Sequence, residues 1–545
     1  MGIFSHKLTL ADTPKEVLNW RLYWSVAVFG ILGASRGFDE GLVGGMINLA
    51  CFKSEFPLDV GTEDEIANRK SNITSMVQLG SIGGALLAFV LCDKIGRVRS
   101  LQALCVLWAT GFAIVISSFG SIPQILTGRF IAGLGIGMTT VVGPTYLVEV
   151  APKSIRGMLT SVFAGAVYLG VMIAYFGNWG CSINISNTSR TQWVVPQSIH
   201  IIFAGFIFML SWTVPETPRW LIMTGKREKA LANLCKLRNL PSDHPFVQSE
   251  VIAVTEQLER EKESTRGTSR WGKLRELTMI PANRYRLMLG IMSQLLGQWS
   301  GASAITIYAA DFFSVLGKTG QSEKLFATCI LGIVKFASAY ICAFFLIDFI
   351  GRRRALYCGI ALQTISVCYI AIYLGVVPNS VETTAISDSA RRASLGAIAA
   401  IYVSGFGWAM GWNSFQYLVN AEIYPIRLRA LGSSIVMCFH FVNQFANTKA
   451  VPAMLLTMSN YGFFAFCTVI CVLGLIWVWF FVPETAGKSL EAMDTLFAVP
   501  WHQIGRHGKE LTADEGSHSE AARVDDMEKA EYEVEEFKGQ NPARS

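Results

Sequence analysis

Within one apolar run near the start of the chain, "ASRGFDEGLVGG", three ionisable side chains fall inside five residues: Arg36, Asp39 and Glu40. A charge at the centre of a bilayer costs roughly 2.5–3.5 kcal/mol on insertion scales, so three together need partners or water, and ionisable groups at that depth are by default functional. The chemistry open to them is proton exchange and anion recognition. A carboxylate facing a wet cavity can take up and release a proton as its surroundings change. A guanidinium grips a carboxylate through two parallel hydrogen bonds. Arg36 lies three residues before Asp39, so both can share one helix face. Two readings of Arg36 stand: it neutralises Asp39 or Glu40, or it meets an anionic solute.

Membrane helices must position these groups. The 545 residues are 52% hydrophobic and only 16% charged, with mean hydropathy +0.40, too apolar for a soluble chain of this length. Twelve runs reach the roughly 20 residues that cross a bilayer: 22–49, 71–91, 101–119, 122–147, 157–178, 196–214, 286–312, 325–347, 355–377, 394–420, 430–457 and 460–482. A spanning segment must satisfy its own backbone hydrogen bonds, so each run is expected to be helical and the fold all-α and polytopic. The first 21 residues are polar and of mixed charge, which does not suit a removable leader. The 12 cysteines are scattered without metal-ligand spacing and read as small apolar residues. Cys51 and Cys181 fall where both could face outside, so a disulfide between them stays open. No metal or cofactor is expected.

Basic clusters mark the cytoplasmic side of a membrane protein. Here they lie at 93–100, 152–157, 219–288, 348–354 and 424–429, which places both termini in the cytoplasm. The loop 178–195 is then outside, and it carries the glycan acceptor triplets of Asn184 and Asn187; a third triplet, at Asn72, begins a span and is expected to stay unused. The expected organisation is a cytoplasmic N-terminus (1–21), a six-helix half (22–218), an intracellular helical loop (219–285), a second six-helix half (286–483) and a cytoplasmic tail (484–545). From Lys509 onward the tail has 11 acidic and 5 basic residues, so disorder is expected after about 501.

The two halves repeat each other. "DKIGRVR" (93–99) returns as "DFIGRRR" (348–354), "EVAPKSIRG" (149–157) as "EIYPIRLRALG" (422–432), and "PETPRW" (215–220) as "PETAGKSL" (483–490). Markers recurring in order imply duplication, and two six-helix halves can rock about a central site to give alternating access. Asp93, Glu149, Glu216, Asp348, Glu422 and Glu484 sit in these markers beside Arg97, Arg156, Arg352, Arg353 and Arg429. They are expected to pair across the halves and hold one state closed on the inside, because only a network of exposed pairs can bias states by several kcal/mol. The alternative is a solvated basic surface that serves topology alone.

These markers resemble the sugar porter family of the major facilitator superfamily over about 20–495. The resemblance rests on Asp93, Gly96, Arg97 and Arg99, on "GRFIAGLGIGMTTVVGPTYLVEVAPKSIRG" (128–157) with Gly133, Gly137, Tyr146, Glu149 and Arg156, and on "PETPRWL" and "PETAGKSLEAMD". In style, including "RTQWVVP" (190–196), the chain is nearest to fungal quinate and uronate transporters of that family. The resemblance implies twelve transmembrane helices in two halves and multi-pass placement in the plasma membrane. It also implies that Asp39 takes and releases a proton, with Arg129 of "TGRF" as its partner; a permanent Asp39–Arg129 salt bridge is the alternative.

The resemblance also locates the solute site, and here the chain departs from the pattern. Arg36 stands where hexose porters carry an aromatic. Ala164 replaces a glutamine of the fifth helix. In "GQWSGASAITIY", Gln298 and Tyr308 remain, but Gly297, Ser303 and Ile307 replace a glutamine, an asparagine and a tyrosine. Tyr417 replaces a tryptophan, and His440 replaces a glutamine. Neutral hexoses are held by amides that bond many hydroxyls; this site has lost amides and gained Arg36 and His440. The favoured solute is therefore a polyhydroxylated ring bearing a carboxylate, such as galacturonate or quinate. Gln298, Asn413, Gln416, Asn443 and Gln444 are candidates for its hydroxyls, against interhelical hydrogen bonds worth roughly 0.6 kcal/mol each. His440 could donate to the solute or pack as a hydrogen-bonded histidine. Trp299, Trp408, Trp412 and Tyr417 could stack on the ring, plug the cavity or pack helices, and Lys449 could steer anions or snorkel.

The expected function is proton symport of a monosaccharide-like solute, with solute and proton the only partners. The alternatives are a neutral hexose, pentose or polyol porter and a non-transporting nutrient sensor. The sequence has no metal cluster, phosphate-binding glycine loop or nucleophile–base pair of the kind an enzyme needs. A charge of +6 carried on loops gives no footprint for nucleic acid.

Overall fold

The computed structural model describes residues 14–152, 155–265, 270–318, 320–342, 346, 350–377, 388–413, 415–416, 423–484 and 496–497. Helices account for all of its regular structure, with no strand among the described residues. Twelve helical segments follow the expected order. α1 is broken into Trp20–Gly30 and Gly33–Met46, and is followed by α2 (Glu63–Ile95), α3 (Arg97–Ile116), α4 (Ile122–Val150), α5 (Arg156–Asn184) and α6 (Thr191–Leu210). After short helices at Pro218–Met223, Arg227–Arg238, Pro245–Thr265 and Arg270–Met279 come α7 (Pro281–Trp299, continued by Ala302–Ile307 and Ala309–Val315), α8 (Gln321–Ile341), α9 (Arg352–Val376), α10 (Asp388–Trp408), α11 (Ile426–Thr457) and α12 (Ser459–Phe481). Among the described residues, 10 helices are long and apolar enough to cross a membrane on their own. The two that fall short have physical reasons. Gly301, at φ 93°, breaks α7, and α11 is studded with His440, Asn443, Gln444, Asn447, Thr448 and Lys449. Such segments are tolerated where neighbouring helices satisfy the polar groups.

The repeated markers fold alike. Gly96 and Gly351, at φ 98° and 92°, turn the chain between α2 and α3 and into α9. In each half the glutamate of the PET marker closes that turn. Arg97 N donates to Glu216 Oε1 at 3.0 Å and Val98 N to Glu216 Oε2 at 3.1 Å; Arg352 N donates to Glu484 Oε1 at 3.0 Å and Arg353 N to Glu484 Oε2 at 3.2 Å. Each carboxylate thus satisfies two backbone donors that a helix N-terminus leaves unpaired, at the positive end of its dipole. A Cβ on Gly96 would lie 2.5 Å from Glu216 Oε2 and one on Gly351 3.0 Å from Glu484 Oε2, so glycine is needed for space as well as for φ.

Burial raises the Glu216 carboxyl above its ordinary range, against the pull of the N–H groups of Thr217, Val98 and Arg97. The folded state therefore holds that proton more tightly than the unfolded chain, and this group's contribution to stability falls as pH rises through the window above the ordinary glutamate value. Glu216→Ala and Glu484→Ala are each expected to lose about 1–3 kcal/mol in a thermal-unfolding assay in detergent. Glu216→Gln, which resembles the protonated form, should lose less than Glu216→Ala; equal losses would show that the carbonyl oxygen does not serve as a cap.

Within the first half α4 packs on α2 and α3, and α1 on α5; in the second, α9 packs on α10 and α12. The halves meet along α2–α11 and α5–α8. Small residues set the closest approach. A Cβ on Gly33 would sit 2.1 Å from Phe163 O, one on Gly37 1.9 Å from Val167 O and one on Gly41 2.6 Å from Ala174 Cβ. This stripe at intervals of four fastens α1 to α5; Asp39 falls on the face opposite it, and Arg36 and Glu40 flank it on one side.

Candidate functional site

Asp39 and Arg129 form a buried ion pair, Nη2 to Oδ1 at 2.9 Å, with side chains 3% and 0% exposed. The same Nη2 lies 3.5 Å from Thr74 O, while Arg129 Nε and Nη1 are buried without a hydrogen-bond partner. A second pair lies one turn away. Arg36 Nε donates to Glu40 Oε1 at 2.7 Å, and its guanidinium carbon stands 5.9 Å from the centroid of the Phe441 ring. Glu40 Oε1 also accepts from Gln444 Nε2 on α11 at 2.8 Å, a bond between the halves. Arg36, Asp39, Glu40, Gln78, Ser81, Phe441 and Gln444 line a common space with Val77 and Ile136. Its volume is about 10 Å³, enough for roughly one water. All three charges that open the sequence analysis therefore face the interface between the halves, and the reading in which Arg36 neutralises Glu40 describes its contact in this structure.

Most of the remaining candidates bond to other helices. His440 Nδ1 lies 2.7 Å from Gln294 Oε1 and 3.3 Å from Gln298 Nε2. Asn443 accepts from Trp299 Nε1 at 3.2 Å and donates to Phe439 O at 2.9 Å. Gln416 donates to Ser293 O at 3.1 Å. Tyr308 donates to Thr448 O at 2.8 Å and stands 2.8 Å from Thr74 Oγ1, so it ties α7 to α2 and α11. Asn413 is buried and Ser303 half-buried on α7. Asp348, Tyr417, Glu422 and the tail 501–545, with the side chains of Arg156 and Arg429, lie outside the described residues.

In the first half, the face that carries the repeated markers holds a cluster of ion pairs. Arg97 Nη2 pairs with Glu149 Oε1 at 2.7 Å and Asp93 Oδ1 at 3.4 Å, and Arg219 Nε reaches Glu149 Oε1 at 4.0 Å. These described pairs lie within the first half, and Glu216 and Glu484 bond to backbone N–H groups as helix caps. The halves also touch on the opposite face. Besides Tyr308, Tyr175 OH donates to Thr306 O at 2.6 Å, Lys449 reaches Asn68 at 2.5 Å and also Asn72, and a Cβ on Gly44 would lie 1.7 Å from Ile307 O. Asn184 and Asn187 are exposed on this face, and Asn187 Oδ1 accepts from Gln192 at 2.9 Å and Gln321 at 3.2 Å. Cys51 and Cys181 are both free in this structure, with the buried Cys51 thiol donating to Gln192 Oε1 at 3.4 Å.

Two ionisable residues that the sequence reading passed over belong to this region. Lys335 on α8 is 2% exposed and bonds to Thr306 Oγ1 beside the break in α7. Asp311, at the far end of α7, is set among Asn48, Lys53, Lys70 and Lys324. The signal for Lys335 was present, a single lysine in "LFATCILGIVKFASAYI", the same kind of signal that singled out Arg36.

Comparison with known proteins follows this geometry. The family model described as "Sugar (and other) transporter" matches residues 25–497. The chain is 31% identical over 526 residues to a quinate permease of Neurospora terricola, covering 95% of this chain and 96% of that one. It is 32% identical over 487 residues to a probable quinate permease of Aspergillus niger, covering 89% of each. Among solved structures, the xylose transporter XylE from E. coli in a partially occluded inward open conformation superposes with TM-score 0.71 at 20% identity, covering 86% of this chain and 100% of that one.

Proposed function

We propose, proceeding from a chain that belongs to the sugar porter family of the major facilitator superfamily, that it imports an acidic, polyhydroxylated solute together with a proton across the plasma membrane. The observation that carries this reading is the pair of ion pairs, Asp39–Arg129 and Arg36–Glu40, at one small space between the halves. A buried carboxylate held by one arginine is poised to exchange its proton when the halves part and water enters. The names of the fungal relatives, quinate permeases, support an acidic solute, and the proton:xylose symporter among the structural neighbours is consistent with coupling. Both termini are placed in the cytoplasm, the marker face inside, and Asn184 and Asn187 outside as glycan acceptors. Asp93, Arg97, Glu149, Arg156 and Glu216, with Asp348, Arg352, Glu422, Arg429 and Glu484, form the inner gate.

One observation favours a second reading, a neutral hexose, pentose or polyol porter: Glu40 already satisfies Arg36. Expression in a transporter-deficient yeast separates the two. Galacturonate or quinate uptake, faster at acidic pH and abolished by a protonophore, is the expected result. Uptake of glucose or xylose alone, or indifference to the protonophore, would overturn the acidic solute or the coupling respectively. Arg36→Phe is expected to lower acid uptake roughly tenfold or more, the worth of a charged hydrogen bond, and to spare any hexose uptake.

A further inference from the structure

We propose that Lys335 is where the carboxylate of the transported acid first docks, before Arg36 exchanges Glu40 for it, a role that rests on the acidic-solute reading above. α8 packs between α5 of the first half and α10 of the second, and Lys335 lies fourteen residues below its first residue, Gln321, about 20 Å along the axis. That depth puts its ammonium in the middle of the protein. The stem packs on α10, where a Cβ added to Gly405 would meet Lys335 Cγ at 3.3 Å. The ammonium stands 5.9 Å from the centroid of the Tyr168 ring on α5, across the interface, and donates to Thr306 Oγ1 on the broken part of α7. Thr306 passes that hydrogen bond on to Ala302 O at 2.7 Å. The ammonium thus has one hydrogen-bond acceptor for three N–H donors.

No carboxylate among the described residues comes within the 4.0 Å of an ion pair, and the acid whose field reaches Lys335 is Glu40 of the other half. Glu40 is itself engaged by Arg36 and Gln444. Lys335 and Arg36 differ in what already holds them. Arg36 has its anion in hand at 2.7 Å, so a solute carboxylate must first displace Glu40 to reach it. Lys335 has no anion, and a buried cation without one is strongly unfavourable unless something compensates it. A carboxylate that parts the halves enough to enter beside the α7 break meets Lys335 and the Thr306 hydroxyl on one side. It meets the aromatic ring of Tyr168 on the other, where the ring of the solute can lie. The solute then compensates the charge, and both halves touch it.

The test is purified protein in detergent, with quinate and galacturonate as probes in a thermal-shift assay, and counterflow of the same acids in proteoliposomes. Wild type is expected to be stabilised by at least one of the acids. Lys335→Met should lose that shift, with KM for the acid raised about 10- to 100-fold. Its thermal stability without solute should be equal to or above wild type, because an uncompensated charge has been removed. Lys335→Arg should keep part of the affinity. A purely structural lysine would give the opposite pattern: lower stability in Lys335→Met with an unchanged KM, which would overturn the assignment. Acid binding by wild type and Lys335→Met alike would overturn it while leaving the acidic-solute reading intact; a wild type that binds only neutral solutes would overturn both.

Discussion

Asparagine in place of Asp39 is expected to abolish uphill accumulation of the solute while leaving exchange of labelled for unlabelled solute within about tenfold of wild type. The side chain keeps its shape and loses its titratable proton. Its oxygen can still accept from Arg129 Nη2, which donates to Asp39 Oδ1 at 2.9 Å in the wild type. The variant also leaves the wholly buried Arg129 without its anion, and breaking a buried pair costs about 3–5 kcal/mol. Pairing Asp39→Asn with Arg129→Gln removes the orphaned charge, so recovery of protein yield in the double variant with coupling still lost would separate folding from chemistry. Asp39→Glu keeps a titratable group and is expected to retain some accumulation. Undiminished accumulation by Asp39→Asn in a pH gradient would show that the proton travels elsewhere.

The second large effect is expected from a single methyl group. Gly44 of α1 faces Ile307 of α7 so closely that a Cβ would stand 1.7 Å from the Ile307 carbonyl oxygen. That carbonyl belongs to the backbone between two breaks in α7, so the clash is with main chain rather than with a movable side chain. Gly44→Ala should keep the halves apart on this face and reduce net uptake at least tenfold, the loss following from a state shifted by more than ~1.4 kcal/mol. Yield and thermal stability should change little, because the face opens rather than unfolds. The neighbouring ties, Tyr308 to Thr448 and Thr74 and Tyr175 to Thr306, should fail with it. Wild-type uptake by Gly44→Ala would mean that α1 and α7 do not close on each other during transport.

Much of this was readable from the residues because lipid leaves few options. Apolar run length fixed the helices, and duplicated markers announced two halves whose Gly96 and Gly351 turns are capped alike by Glu216 and Glu484. Charges within "ASRGFDEG" pointed to the interface because burial in lipid is too costly for them. What was not readable was which charge meets which. Helical periodicity put Arg36 near both Asp39 and Glu40, and only the packing of α1 against α4 and α11 decides that Asp39 takes Arg129 while Glu40 takes Arg36 and Gln444. The polar residues of α7, α11 and the stretch after α10 read as solute ligands, and in this structure His440, Asn443, Gln416 and Tyr308 bond to neighbouring helices. Residue type cannot distinguish those uses, since the same amide serves a hydroxyl or a backbone carbonyl. The capping role of the marker glutamates was not readable either, because it depends on a turn in another loop, more than a hundred residues away in sequence.

The central claim is that the acid–base cluster around Asp39 couples a proton to the solute. Protein reconstituted in weakly buffered proteoliposomes, with the pH of the outer medium recorded as quinate or galacturonate is added at matched pH, tests it most directly. Alkalinisation of the medium in step with solute uptake, absent in Asp39→Asn, is the predicted result. Solute uptake by wild type with no movement of pH would contradict it.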